Sequence, residues 1–272
     1  MKFQLRVPAT AALLLVTLLS ATGCNRLKAR DQLTKGIASF KGAKYEDAIN
    51  HFQQALDYDP SYDVARLYLA TTLASQVVPN LETPENLKTA QRAMDGFQQI
   101  LAKDPKDKTA LQQMASISFN TKKFDDAKNY QKKVIEVDPA AAEAYYTIGV
   151  IDWMQAYKNA TTILAADGLT DGGDGNPKKS KDACAKLQAQ NSPLVNEGLE
   201  YLQKAVDNNA TYEEAMTYLN LTYRRKADLE CGDDAARKAD LDKAQQWSDK
   251  AMGARKENER KKEEKNKGGV TM

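Results

Sequence analysis

Three stretches decide the fold when laid over one another. They are Tyr45-Glu-Asp-Ala48-Ile-Asn-His-Phe52-Gln-Gln-Ala55-Leu-Asp-Tyr-Asp-Pro60, Ala93-Met-Asp-Gly-Phe97-Gln-Gln-Ile100-Leu-Ala-Lys-Asp-Pro105 and Phe124-Asp-Asp-Ala127-Lys-Asn-Tyr-Gln-Lys-Lys-Val134-Ile-Glu-Val-Asp-Pro139. Each carries a small residue, apolar residues at helical spacing and a closing Asp-Pro. The spacing predicts an amphipathic helix in each. The proline ends it, because it cannot continue a helix and restricts the residue before it. Pro105 and Pro139 stand 34 residues apart. Unrelated amphipathic helices share the 3.6-residue period but not such a fixed spacing, so this is an internal repeat and not a generic bundle.

Between these stretches runs a second pattern, a large apolar residue followed by a small one. Leu69-Ala70, Met114-Ala115 and Ile148-Gly149 follow it, and Leu219-Asn220 departs from it by one residue. Paired helices at this period closely resemble the tetratricopeptide-repeat (TPR) family. The resemblance implies an all-α solenoid of helical hairpins, in which Ala48, Ala93 and Ala127 let paired helices approach. Each hairpin leaves apolar faces that only stacking on its neighbours buries.

Five units follow within residues 24–256: 26–60, 61–105, 106–139, 140–210 and 211–256. The second carries about eleven extra residues around Val77 to Pro84, since Pro60 and Pro105 are 45 apart. The fourth carries a much longer insertion across 157–193, and the fifth one around Glu230 to Asp234. In the family's register all three fall in the turn between first and second helix, on one edge of the solenoid. Residues 257–272 are a mixed charge run with few apolar residues, expected to fray from helix into a disordered tail.

The start of the chain is an address. Lys2 and Arg6 precede the apolar run Ala9 to Leu19, and Ser20-Ala-Thr-Gly-Cys24 follows. This is the pattern of a secretory signal peptide over residues 1–23, with a run too short to span a bilayer comfortably. Ala21-Thr22-Gly23-Cys24 resembles a bacterial lipobox, although Ala21 stands where leucine is usual. The resemblance implies lipidation of Cys24; Asn25 after it implies the outer membrane. The body would then be periplasmic, in an oxidising compartment, with stable anchoring by its acyl chains.

Composition narrows the function. Without Lys2 and Arg6 the chain has 37 basic and 37 acidic residues, so no overall field draws it to nucleic acid. One histidine and three cysteines make no His-rich metal centre. His51 reads as a helix-surface residue. Asp167, Asp171, Asp174 and Asn176 lie among glycines but lack the spacing and closing glutamate of a calcium loop; a turn-rich loop accounts for them. Neither a cofactor nor a small-molecule substrate is expected. Cys184 and Cys231 lie in consecutive insertions that stacking brings together, which predicts a disulfide in an oxidising compartment, the alternative being two unpaired thiols. The acceptor patterns at Asn159, Asn209 and Asn220 are chance matches in a bacterial lipoprotein.

What remains is a surface. In the family the first helices line a concave face. Resemblance places there Leu33, Ile37 and Phe40, then Leu67, Tyr68 and Thr71, then Gln112, Ser116, Phe119 and Asn120. Tyr146, Val150 and Trp153 follow from the fourth unit, and Thr217, Leu221 and Arg224 from the fifth. Aromatics with amides between them suit peptide binding; the alternative is that these rings pack inside the solenoid. The reading is a non-enzymatic, lipid-anchored scaffold that binds a protein or peptide. By resemblance, small repeat lipoproteins of this kind serve secretion or pilus machines and outer-membrane assembly. The rivals are an enzyme or metal-dependent sensor with its site in 157–193, and a structural envelope spacer.

Overall fold

The computed structural model describes the backbone of residues 9–268 and the side chains of residues 24–266. Among these residues there are ten helices and no strand. The chain forms two compact units, one up to Lys123 and one from Phe124. The first holds α1 (Ala9–Lys41), α2 (Tyr45–Tyr58), α3 (Asp63–Ser75), α4 (Pro84–Leu101) and α5 (Lys108–Asn120). The second holds α6 (Phe124–Val137), α7 (Ala142–Ala166), α8 (Lys181–Asn208), α9 (Glu213–Ala227) and α10 (Asp234–Gly268). In chain order they are five first-and-second pairs, the expected all-α repeat with insertions. Inside the first unit α1 packs on α2 and α3 on α4, and α3 touches α1 and α5; inside the second, α7 packs on α8, α9 on α10, and α7 on α9.

The repeated Asp-Pro has a second physical role. Asp59, Asp104 and Asp138 each accept a hydrogen bond from the backbone N–H two residues on, at 3.0, 3.0 and 3.1 Å. Asn209 does the same for Thr211 at 3.2 Å, so Asn-Ala replaces Asp-Pro in the fourth unit. These Asx turns direct the chain from a second helix into the next first helix.

The small residues of the repeat are buried, and at one of them the close approach of two helices is explicit. Ala48, Ala93 and Ala127 are fully buried. At Gly149 a Cβ would lie 2.5 Å from Leu202 Cγ and 3.1 Å from the Gly198 carbonyl oxygen. Asn220, the exception to the pattern, is buried because its amide is used: it donates to the Ala244 carbonyl at 2.7 Å and accepts from Arg224 Nε at 3.2 Å.

Two features add to the sequence reading. The insertion at 157–193 is turn only over 167–180; its remainder lengthens α7 to 25 residues and α8 to 28. Ala160, Ile163, Leu164, Ala183 and Leu187 recur at helical spacing and form a separate small core, with Leu169 and Leu229 against it. The segment from 257 continues α10 as helix to Gly268. There Glu257–Lys261, Arg255–Glu259 and Arg260–Glu264 pair across one turn, which supports an exposed helix without a core.

Cys184, in the first turn of α8, forms a disulfide with Cys231 in the α9–α10 turn, with Cα atoms 6.1 Å apart. Cys24 is exposed and free. The leader read at 1–23 lies outside the residues whose side chains are described. No helix among the described residues is long and apolar enough to cross a membrane.

Gly149→Ala tests the close approach of α7 and α8. It places a methyl group against Leu202 and the Gly198 backbone, so a loss of about 1–3 kcal/mol is expected, measured by chemical denaturation. A smaller loss from Gly149→Ala in a Leu202→Ala background than in the parent would identify the clash as the cause.

Candidate functional site

The second unit presents a row of aromatic rings that alternates between two first helices. Tyr146, Trp153 and Tyr157 come from α7, at spacings of seven and four residues that keep them on one face. Tyr218 comes from α9 and Tyr212 from the residue before it. The ring centroids are 5.0 Å apart for Tyr212–Tyr146, 5.6 Å for Tyr146–Tyr218, 5.2 Å for Tyr218–Trp153 and 5.3 Å for Trp153–Tyr157. The first four are half-buried and Tyr157 is exposed. Edge-to-face and tilted contacts of this length are the favoured geometries for aromatic pairs.

The row carries donors and no charge. Burial, helped by Tyr218 and Glu214, pushes the Tyr146 hydroxyl up to about 12. Burial raises Tyr218, and burial with Tyr146, Glu143 and Glu214 raises Tyr212. All three phenols therefore stay protonated, and among the described residues their hydroxyls have no partner. The Trp153 indole N–H is buried without one.

At the Tyr157 end the row meets a buried ion cluster. The Arg225 guanidinium lies 5.7 Å from the Tyr157 centroid. It makes two bonds to Asp171, at 2.8 and 2.9 Å, and an ion pair with Asp228 at 3.0 Å. Burial pushes the Asp228 carboxyl up to about 6, against the pull of Arg225. Arg224 donates to the Gly173 carbonyl at 3.0 Å and Arg237 to the Asp174 carbonyl at 3.0 Å. The acidic, glycine-rich turn is thus bound to α9 and α10 by arginines. At its base Asp167 accepts from the Ser180 backbone and hydroxyl, and Ser180 caps α8.

The other residues expected on the face divide by surroundings. Gln112 and Ser116 are exposed on α5, with Phe119 and Asn120 half-buried at its end. Tyr68 is spent on packing: its ring stacks on Phe52 at 5.4 Å, in a core with Leu33 that Ile37 and Phe40 cover. Val150 is 7% exposed, so it belongs to the core and not to a binding face, a correction to its expected position. Arg224 is likewise corrected, since its guanidinium holds the turn. Leu221 is half-buried on α9. Tyr212, Tyr218 and Tyr157 were not expected in the row. Tyr157 lies inside the supposed insertion, and Tyr218 sits one residue from Thr217, the position the family register selects.

Elsewhere in this unit Lys128 of α6 bridges Asp152 of α7 at 2.5 Å and Glu197 of α8 at 2.7 Å, with Lys132 also on Glu197 at 2.9 Å. Glu197 is the more exposed carboxylate and holds its charge, below its ordinary value through both lysines although burial opposes them. Asp152 is fully buried with one oxygen unpartnered, and burial pushes its carboxyl up to about 7. His51 bonds Gln32 across α1 and α2 at 2.7 Å. No group of three or more His, Cys, Asp or Glu side chains among the described residues is arranged to hold a metal, and no catalytic constellation is present among them.

A tetratricopeptide-repeat model matches residues 109–140, which span α5 and α6. The fold is similar to MamA from Desulfovibrio magneticus RS-1 (residues 41 to the end), with TM-score 0.55 and 17% identity over 85% of this chain and 96% of that one. A second MamA structure gives 0.55 and 15%, over 90% and 97%. YrrB, a TPR protein with an unusual peptide-binding site, gives 0.52 and 14%, over 88% and 97%. No curated protein sequence matches. The fold is that of TPR proteins.

Asp152 gives the unit a pH dependence of known sign. Its carboxyl binds a proton more readily folded than unfolded, so it favours the fold below about 4, and that contribution shrinks as pH rises to about 7. Asp228 acts in the same sense to about 6. Glu197 acts oppositely, but only below its ordinary value of 4.5. Between pH 4.5 and 7, Asp152→Asn is expected to flatten the dependence of Tm on pH. An unchanged slope in thermal melts would assign the pH dependence elsewhere.

Proposed function

We propose that this chain is a lipid-anchored periplasmic scaffold that holds another protein through the aromatic row of α7 and α9. The observation that carries the reading is the row itself: large, uncharged rings with unpartnered donors, on first helices of a repeat fold. Rings of this kind concentrate binding energy at interfaces. The insertion that would host a catalytic or metal site is spent on the Arg225 cluster, a small apolar core and the disulfide. That YrrB carries a peptide-binding site on the same fold is in keeping with this reading.

The anchor rests on the leader and on the lipobox-like Ala21-Thr22-Gly23-Cys24. Cys24 is exposed, as an acylated residue must be. Arg26, Lys28 and Arg30 follow within two helical turns, which would bring α1 close to anionic headgroups. An envelope assembly, secretion or pilus machine is the setting that suits such an anchored scaffold.

Two experiments check the two halves separately. Tyr146→Ala with Trp153→Ala should abolish partner capture from solubilised envelope while Tm stays near that of the parent. Loss of one interfacial anchor costs on the order of 2 kcal/mol, about thirtyfold in affinity. If these rings only pack the core, the double variant loses about 3–5 kcal/mol of stability per ring instead. Cys24→Ala should abolish labelled-palmitate incorporation and membrane retention; incorporation that persists would refute the anchor.

A further inference from the structure

One end of the first unit carries features that neither the repeat nor the aromatic row uses. Their reading rests on Cys24 as the acylated first residue of the processed chain. Leu27 is 71% exposed, more than any other large apolar side chain among the described residues. It stands about 200° around α1 from the fully buried Ala29, so the packing of the hairpin asks for no leucine there. Tyr58 at the end of α2 and Val64 at the start of α3 are also exposed, at 37% and 47%. The turn from α2 to α3 lies beside the same stretch of α1. The Lys28 ammonium is 5.4 Å from the Tyr58 centroid, and Arg26, Arg30, Asp59 and Tyr62 line one cleft of about 190 Å³.

The charge there is positive. Arg26, Lys28 and Arg30 form no ion pair among the described residues. The neighbouring carboxylates are mostly engaged. Asp31 pairs with Lys35 and Asp63 with Lys103, and Asp57 lines a groove that it shares with Arg66 and Arg92. Asp59 remains, with its Oδ1 accepting from the Ser61 backbone and hydroxyl. Three unpaired cations thus stand against one carboxylate.

An anionic bilayer matches this edge better than a protein does. Side chains lean toward the N-terminus of their helix, so those of residues 26–30 lean toward Cys24. Arg30 is six residues from Cys24, about 9 Å along the helix. With Cys24 held at the headgroups by its acyl chains, all three cations lie within about one Debye length of the lipid phosphates, roughly 10 Å at 0.1 M salt. A protein partner would have to fit into that gap. A second copy meeting the same edge across a two-fold axis would set these cations against their own equivalents. An apolar side chain between two cations, with tyrosines beside them, is by contrast the composition of an interfacial segment.

We propose that this edge is a second membrane contact, independent of the acyl chains, in which Arg26, Lys28 and Arg30 engage anionic lipid headgroups and Leu27 enters the interface.

The test is cosedimentation of the processed chain, residues 24–272, with vesicles of phosphatidylcholine alone or mixed with phosphatidylglycerol. This chain holds every buried contact described above and carries Cys24→Ser, so no acyl chain contributes. At low salt it should bind the anionic vesicles at least about tenfold more tightly than the neutral ones, and the difference should shrink as salt is raised. Arg26→Gln with Arg30→Gln should weaken anionic binding by about tenfold or more, since each cation near such a surface adds roughly fivefold. Leu27→Ser should weaken it severalfold at unchanged Tm. Lys41→Gln with Lys44→Gln removes the same charge from the other end of α1 and should leave binding almost unchanged. Equal binding to both vesicles, equal loss in the two charge variants, or undiminished binding of Leu27→Ser overturns the proposal. So does self-association in lipid-free solution that Leu27→Ser abolishes, which would assign the edge to a second copy. The anchor is read separately, by labelled-palmitate incorporation at Cys24. Acylation without a preference for anionic vesicles refutes this inference alone, and that preference without acylation refutes the anchor alone.

Discussion

A stack of helical hairpins is tight only where side chains are missing, and this constraint orders the rest of the molecule. Where α7 crosses α8, Gly149 leaves no room for a methyl group against Leu202. Ala48, Ala93 and Ala127 are likewise fully buried. With the crossings reserved for small residues, large rings must go elsewhere. Some are fully buried where a small residue makes room, as Phe52 is opposite Gly36. Others are displaced to the faces of the first helices, where neighbours cover only one side. The half-exposed row on α7 and α9 is the outcome of close packing one helical turn away.

The same unit buries more charge than a repeat of this kind needs for stability. Arg225, Asp171 and Asp228 are almost wholly removed from water, as is Asp152 beside Lys128. A buried ion pair rarely gains over a well-packed apolar replacement, because desolvation offsets the attraction. Removing one partner alone is costly, however, and that asymmetry makes such pairs effective at specifying one arrangement. Arg225 specifies where the glycine-rich turn lies. Without it, a turn with four glycines and few apolar residues has little reason to prefer one conformation.

Most of the fold was legible in the sequence because its signals are periodic. The Asp-Pro spacing and the large–small pairs located the hairpins, and the cysteines in consecutive insertions located the disulfide. Two kinds of feature were not legible. The helical extension of α7 and α8 was hidden by Gly168 to Pro177, whose turn signals outweighed Ala160, Ile163, Leu164 and Leu187 at helical spacing. The charged end of α10 lacks apolar periodicity altogether; its support is i,i+4 pairing, each pair worth a few tenths of a kcal/mol. On the face, Tyr146 and Trp153 were found because they share a helix. Tyr218 and Tyr212 were missed because a family register of one helix in four steps cannot resolve a shift of one residue. Val150 shares that face, four residues from Tyr146, but it is 7% exposed and so offers no surface to a partner.

The long insertion and the aromatic face turn out to be one device. An α7 of ordinary length, like the 13-residue α3 and α5, would end close to Trp153. Extension to 25 residues adds Tyr157, which stacks on Trp153 at an interplanar angle of 19°. An exposed ring at the end of a row is free to rotate unless something covers its other side. Arg225 does so, with its guanidinium over the ring and its bonds to Asp171 fixing its own position. Asp171 belongs to the turn that the insertion supplies, and the Cys184–Cys231 bridge closes the far side of that turn onto the α9–α10 connection. The inserted residues thus lengthen the face by one ring and hold that ring in line with the others. The polar, glycine-rich turn, which in isolation suggests a metal or substrate loop, serves to keep an aromatic surface straight.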